Sequence, residues 1–360
     1  MAKVLVVTWD GGGNVDPTIA IAQRLLDDGG AVTAVGPPSL VARFAATGVA
    51  LTPRDPDGEW DQVAMARDVA AALARDRPDL ALVDFMMPGA LCATEAAGVA
   101  TAVLVHTLYG RVGIHEAASP MAMATTVDGV NGLRADLGLA PIDRLAQLLD
   151  GADVVLVTSP PSLDTVPAPL APNVRYVGPV FERVGVERAA EEGLPRVIVS
   201  LGTTDMGERE VLERVLAALA DEPVSVLATV GDHIDPTAVA APPNASVRAR
   251  IPHAVVVPGA AVVVCHGGLG TVLAALRHGV PVLCIPLGRD QHANAAAVVA
   301  ASAGRSLDRD AAADEIRAAV AALMADGPER AGVARMAAAV AEPTGRHPAV
   351  SALLDALPRP

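Results

Sequence analysis

Short apolar runs without alternation recur along the first half of the chain, at residues 3–8, 31–36, 80–84, 102–106 and 154–158. Runs of this kind are the pattern of strands buried on both faces of a sheet. Between the first two, Ile19, Ala22, Leu25 and Leu26 fall on one side of a helix over 18–26. Buried strands joined by helices predict a doubly wound parallel sheet. The pattern then restarts. A charged stretch without strand character, 183–194, precedes new apolar runs at 197–201, 224–229, 246–250, 262–265 and 282–285, with a helix predicted from 208. The chain therefore reads as two similar α/β domains, 1–182 and 195–345, with 183–194 as the linker. The tail 346–360 holds a short predicted helix, 350–357, expected to pack back on the first domain. Ligands of open α/β sheets bind beyond the carboxyl ends of the strands. The loops that follow strands are therefore where chemistry is expected.

With 360 residues, each domain is long enough to bury its own core. A formal net charge of −14 argues against a nucleic-acid partner, because phosphate backbones are held by clustered Lys and Arg. It argues equally against attraction to an anionic membrane surface. The longest apolar run, 254–265, is cut by Pro258 and is too short to span a bilayer. The first apolar run meets Asp10 at once, so no signal peptide is expected. Cys92, Cys265 and Cys284 stand singly in apolar surroundings, with neither disulfide nor zinc spacing. Buried thiols in a reducing cytoplasm are the expectation.

The most informative stretch is "CHGGLGTVLAALRHGVPVLCIPLGRDQHANA". The predicted strand 262–265 ends at His266, and Gly267, Gly268 and Gly270 lead into a helix placed from Thr271. Glycines let a ligand approach the backbone, and the N–H groups of a helix start attract anions. Thr271 adds a hydroxyl. The Gly-Lys-Ser/Thr of a nucleotide-hydrolysing P-loop is absent. After the next strand, Asp290 and Gln291 offer a carboxylate beside a carboxamide, a pair suited to vicinal hydroxyls.

His266-Gly-Gly-x-Gly-Thr271, Gly279-Val-Pro281 and Asp290-Gln291-x-x-Asn294 together resemble the donor-binding signature of the family 1 (UDP-glycosyltransferase-like) GT-B glycosyltransferases. The likeness is nearest to the bacterial branch that decorates natural products. Ser200-Leu-Gly-Thr203, Thr229-Val-Gly231 and Ile251-Pro-His253 fall where that family has further donor elements, whereas the first half matches more loosely. The resemblance implies an α/β chain of the GT-B fold, with two Rossmann-like parallel-sheet domains facing a central cleft. It implies an inverting glycosyltransferase that uses a nucleotide (NDP) sugar as co-substrate, with no cofactor and no metal.

In this reading His266, Gly268, Gly270 and Thr271 would hold the diphosphate, with Ser200 and Thr203 helping from the neighbouring strand. Gly231 and the backbone around Ile251 and His253 would meet the base, and Asp290 and Gln291 the sugar hydroxyls. Each has a structural alternative: His266 capping its strand, Ser200 and Thr203 closing a turn, His253 and Asp290 simply solvated. Many family members carry a ribose-binding glutamate eight positions after the signature histidine; here Ala274 stands there. Lacking an acceptor for a 2′-hydroxyl, the site is expected to favour a dTDP-sugar over a UDP-sugar.

The family's first loop reads Gly-His-x-x-Pro, and its histidine deprotonates the acceptor. Here the matching positions are Gly13, Asn14 and Pro17. An amide cannot take a proton near neutral pH; it can only orient a group or bond to one. Asp84 matches the aspartate that partners the missing histidine, with helix capping as its structural alternative. Asp16-Pro17 reads as a helix start. His106, at a strand end, is a candidate replacement base, with Asp10 and His115 behind it. Gly12 and Gly13, with Phe85, Met86 and Tyr109, are candidate acceptor contacts, and Met87, Met121 and Met123 a possible apolar wall or ordinary core. A small apolar acceptor is expected and a homodimer stays open.

Three alternatives remain. A nicotinamide dehydrogenase fits poorly, since "GGGNVD" is not Gly-x-Gly-x-x-Gly. A nucleotide-sugar epimerase could use the same fold. A non-catalytic relative could bind sugar nucleotides without transferring them.

Overall fold

Among the described residues, every paired strand runs parallel to its neighbour, in two separate sheets. The structure is a computed structural model that describes residues 1–55, 58, 60–117, 121, 125–182, 193–202, 206–231 and 234–357. The chain divides into two units, Met1–Glu182 with Glu342–Pro360, and Arg183–Ala341. Most of the stretch read as a linker, 183–192, lies outside the described residues.

In the first unit the strands are β1 (Lys3–Val7), β2 (Ala31–Gly36), β3 (Ala50–Pro53), β4 (Leu80–Asp84), β5 (Ala100–Val105), β6 (Val154–Val157) and β7 (Val174–Tyr176). They lie in the order β3-β2-β1-β4-β5-β6-β7. Side chains alternate across a strand, and both faces are covered. Leu5, Val7, Ala81 and Val83 enter one core; Val4, Val6, Leu80 and Leu82 enter the other. Each fully buried aliphatic side chain contributes about 1.5–3 kcal/mol, which is why these strands lack any polar face. β3 and β7 were not foreseen as strands, being short edge segments with exposed positions.

The second unit holds β8 (Arg196–Ser200), β9 (Ser225–Thr229), β10 (Ala245–Arg248), β11 (Val262–Cys265), β12 (Val282–Cys284) and β13 (Gly304–Ser306), ordered β10-β9-β8-β11-β12-β13. β13 was missed too. Its Gly304 has no room for a side chain, because a Cβ would meet the Val282 carbonyl. All three cysteines are free and buried. No helix among the described residues is long and apolar enough to cross a membrane.

The chain returns to the first unit at Glu342, earlier than the boundary read at 345. Glu342 pairs with Arg24, which is itself only 5% exposed. The last helix runs Pro348–Asp355 rather than 350–357, because proline suits a first helical position, where no N–H is needed. Ala349, Val350 and Leu353 pack into the core beside the helix Val15–Asp27 and β6. His347 caps this helix: its Nδ1 accepts from the Ala349 N–H at 3.1 Å, and its Nε2 donates to the Pro179 carbonyl at 3.1 Å.

That arrangement needs a neutral ring with its proton on Nε2. Burial lowers the His347 pKa below its ordinary 6.5; the Pro179 carbonyl opposes this and Arg24 reinforces it. The unfolded chain then binds the proton more readily, so this contribution is complete above pH 6.5 and declines as the pH falls below it. The melting temperature should fall between pH 7.5 and 5.5. His347→Asn, a cap that does not titrate, should reduce that fall by about 2–4 °C. An equal fall in both proteins would place the pH dependence elsewhere.

Candidate active site

Strand order reverses between β1 and β4, so their carboxyl ends open onto a crevice of the first unit. Asn14, Asp84 and His106 meet there. Asn14 is the N-cap residue of the helix Val15–Asp27, but its side chain does not cap that helix. Its Oδ1 accepts from the Gly11 N–H at 3.0 Å. Its Nδ2 donates towards the Trp9 carbonyl (2.8 Å), Asp84 Oδ2 (3.1 Å) and Thr8 Oγ1 (3.2 Å). With two N–H bonds for three acceptors, the amide is fully engaged. It is also 0% exposed, so it braces the loop and Asp84 instead of facing an acceptor.

Asp84 ends β4 at 1% exposure. Its Oδ1 accepts from the Met86 N–H at 2.9 Å, which secures a turn; Met87, not Asp84, is the N-cap residue of the next helix, Pro88–Ala97. Its Oδ2 faces both the Asn14 amide and, at 3.3 Å, Nε2 of His106. His106 directly follows β5, keeps 16% exposure, and rests against the Phe85 ring with centroids 5.1 Å apart. The carboxylate faces the ring and can offset a positive charge placed on it.

Other expectations in this unit need correcting. Phe85, Met86 and Tyr109 are 1%, 7% and 4% exposed and belong to the core, as do Met87 and Met121, because one face of the sheet packs there. They do not line an open wall. Met123 lies outside the described residues. Asp16 sits in the helix's first turn and pairs with Arg43 at 2.8 Å instead of capping. Asp10 is exposed and accepts from Ser39 Oγ, and the His115 ring lies against Tyr109. Gly12 takes φ +78°, and Gly13 is exposed with open space where a Cβ would stand. Sequence reasoning missed Trp9, whose ring fills the place of a Cβ on Gly11. A glycine after a tryptophan by two positions was the only local sign.

In the second unit the order reverses between β8 and β11, and the donor candidates gather at those strand ends. Ser200 closes β8; His266 follows β11; the helix Leu269–Arg277 begins after Gly268. The His266 ring occupies the space that a Cβ on Gly268 would need. Its Nδ1 makes a long 3.5 Å contact with the Ser200 carbonyl. Burial lowers the His266 pKa, the Ser200 carbonyl and the Asp290 and Glu208 carboxylates oppose this, and His253 reinforces it. Gly270 is exposed with open space above it, and Thr271 lies in the same first turn, where N–H groups lack acceptors within the helix. His253 Nε2 stands 3.2 Å from Ser200 Oγ and 3.5 Å from Thr271 Oγ1. Ile251 is half-buried on the loop before it, and Gly231, at φ +70°, donates its N–H to the Ala249 carbonyl. Thr203 lies outside the described residues.

Asp290 and Gln291 differ in their roles. Asp290 is half-buried, with Oδ2 accepting from Asn294 Nδ2 at 3.1 Å. Gln291 is 3% exposed; its Oε1 accepts from the Leu287 and Gly288 N–H groups and its Nε2 points to Met206 Sδ. It organises the loop instead of presenting an amide to a sugar. Asn294, given no role from sequence, also bonds the Gly267 carbonyl at 3.0 Å and so ties the loops after β11 and β12 together. Its spacing of four from Asp290 on a helix was the available signal. Among the described residues no group of three or more His, Cys, Asp or Glu side chains is placed to hold a metal ion.

The solved glycosyltransferase VinC in complex with dTDP matches 99% of this chain and 99% of its own, with a TM-score of 0.75 at 19% identity. The chain has the GT-B fold. The sequence likeness is narrower but agrees. Residues 213–353 match the model of the erythromycin biosynthesis protein CIII-like C-terminal domain. A PGL/p-HBAD biosynthesis glycosyltransferase of Mycobacterium tuberculosis is 34% identical over 194 residues, 51% of this chain. The match spans 44% of that relative's length, so less than half of it is represented. The 4′-demethylrebeccamycin synthase of Lentzea aerocolonigenes is 25% identical over 93% of this GT-B chain and 94% of its own. The resemblance carried by His266–Asn294 thus leads to natural-product glycosyltransferases.

Two substitutions check this geometry. Gly268→Ala should displace the His266 ring and lower stability by about 1–3 kcal/mol through overpacking, as read by thermal unfolding. Asn14→Ala should lower stability by about 1–3 kcal/mol through the groups left unpaired, as read by denaturant unfolding.

Proposed function

We propose that the chain is an inverting glycosyltransferase that moves a sugar from a nucleoside-diphosphate sugar to a hydroxyl of a small apolar acceptor, without a metal ion. The observation that carries this reading is the buried Asp84 carboxylate, braced by Asn14 and facing His106 at 3.3 Å. The pairing places an ionisable ring beside the family's aspartate even though Asn14 replaces the usual histidine. With Asp84 facing its Nε2, the His106 ring is the group to take the acceptor proton. The freed oxygen attacks the anomeric carbon opposite the diphosphate. The new C–O bond forms as the bond to the phosphate oxygen breaks, and the configuration inverts. Asp84 stabilises the imidazolium that results, and the departing diphosphate rests on the N–H groups at Gly270 and Thr271.

The donor is a dTDP-sugar in preference to a UDP-sugar. Ala274, 8% exposed, offers no acceptor for a 2′-hydroxyl, and the similar VinC structure holding dTDP supports the same choice.

His106→Ala should lower kcat by about 100- to 10,000-fold with little change in KM for the nucleotide sugar. Asn14→Ala should lose rate to a smaller extent while donor binding persists. Wild-type turnover in His106→Ala would remove it as the base. Slow hydrolysis of a dTDP-sugar without acceptor separates this reading from a binding-only relative, which would show none.

A further inference from the structure

The backbone around His253 was expected to meet the base; its ring is turned towards the hydroxyls of Ser200 and Thr271. It opens the short helix His253–Val256, and Nε2 lies within reach of two hydroxyls on different elements, Ser200 Oγ at the end of β8 and Thr271 Oγ1 in the first turn after β11. Both hydroxyl-bearing residues are more than nine-tenths buried, at 7% and 6% exposure. Resting on the donor-site reading above, we infer that His253 is a positioning residue for the donor diphosphate, acting through these hydroxyls, and that it takes up a proton when the diphosphate binds.

Each hydroxyl has a single proton and two lone pairs, and a phosphate oxygen can only accept. To hold a diphosphate, Ser200 and Thr271 must both turn their protons towards it. Their oxygens then present only lone pairs to Nε2, so Nε2 must carry a proton. In the ligand-free site the same nitrogen can accept from either hydroxyl, with the ring proton on Nδ1. Binding therefore requires either a tautomer change or net protonation. An arriving dianion favours the cationic ring.

The charges around the two rings are of both signs. His266, from the loop after β11, faces the same cradle, and two adjacent imidazoles disfavour each other's protonation. The Asp290 and Glu208 carboxylates act on His266 in the opposite sense, and Arg250 is exposed on the loop that leads into His253. The diphosphate supplies the negative charge that both rings lack a full share of.

Calorimetric titration with dTDP-glucose and UDP-glucose tests the inference, because a doubly esterified diphosphate does not itself titrate near neutrality. In buffers of different ionisation heat at pH 7.5, the apparent enthalpy should differ and report proton uptake. Affinity should fall with rising pH above the imidazole range, by up to about tenfold per pH unit. His253→Gln, whose amide N–H groups can donate to both hydroxyls, should still bind the sugar nucleotide but lose both the buffer dependence and the pH slope. His266→Gln should bind more weakly but keep both. Binding with equal enthalpy in all buffers overturns the His253 inference and leaves the donor site standing. So does uptake that persists in His253→Gln and vanishes in His266→Gln. Absence of binding by either nucleotide sugar overturns the donor reading itself.

Discussion

Each sheet reverses its strand order once, between β1 and β4 in one unit and between β8 and β11 in the other. Parallel strands need crossover connections, and crossovers that leave neighbouring strands on opposite faces part at the carboxyl edge. The loops there are spared from packing against a helix, and side chains can converge from different strands. Asp84 and Ser200 end β4 and β8, while Asn14, His106 and His266 follow β1, β5 and β11. The rest of each sheet serves to hold these few positions in register, through strands so apolar on both faces that a one-residue slip would interchange two cores.

Within the first unit the costly element is Asp84. A carboxylate at 1% exposure is sustained only by donors. The Met86 N–H and the Asn14 amide supply two, and His106 supplies a group that can become cationic. An asparagine on the β1 side gives the carboxylate a donor that never competes for the proton. The ionisable ring then stands after β5. The carboxylate thus has an amide on one side and an imidazole on the other.

The second unit uses absence of side chains in the same way. Gly268 yields its Cβ space to the His266 ring, and Gly270 leaves the helix start open. Around them, polar residues that look like ligands are partly structural. Gln291 closes the loop at Leu287–Gly288, and Asn294 joins the loops after β11 and β12 through the Gly267 carbonyl. A motif of binding residues thus mixes groups that can touch a ligand with groups that hold the former in place.

The sequence by itself determined the strand-and-helix alternation, the restart between two α/β units and the glycine cradle after β11. All of these follow from local chemistry: apolar runs demand burial on both faces, and clustered glycines demand close backbone approach. It could not determine the edge strands β3, β7 and β13, whose short, half-exposed segments carry little periodicity. Nor could it show that Phe85, Met86 and Tyr109 face a core, since apolar side chains suit a pocket wall and a core equally well. Only the tertiary structure decided which of several polar residues meet. Asn14 and Asp84 are 70 positions apart along the chain, and Ser200 and His253 are 53 apart. Strand order, which no local pattern encodes, puts them within hydrogen-bond reach.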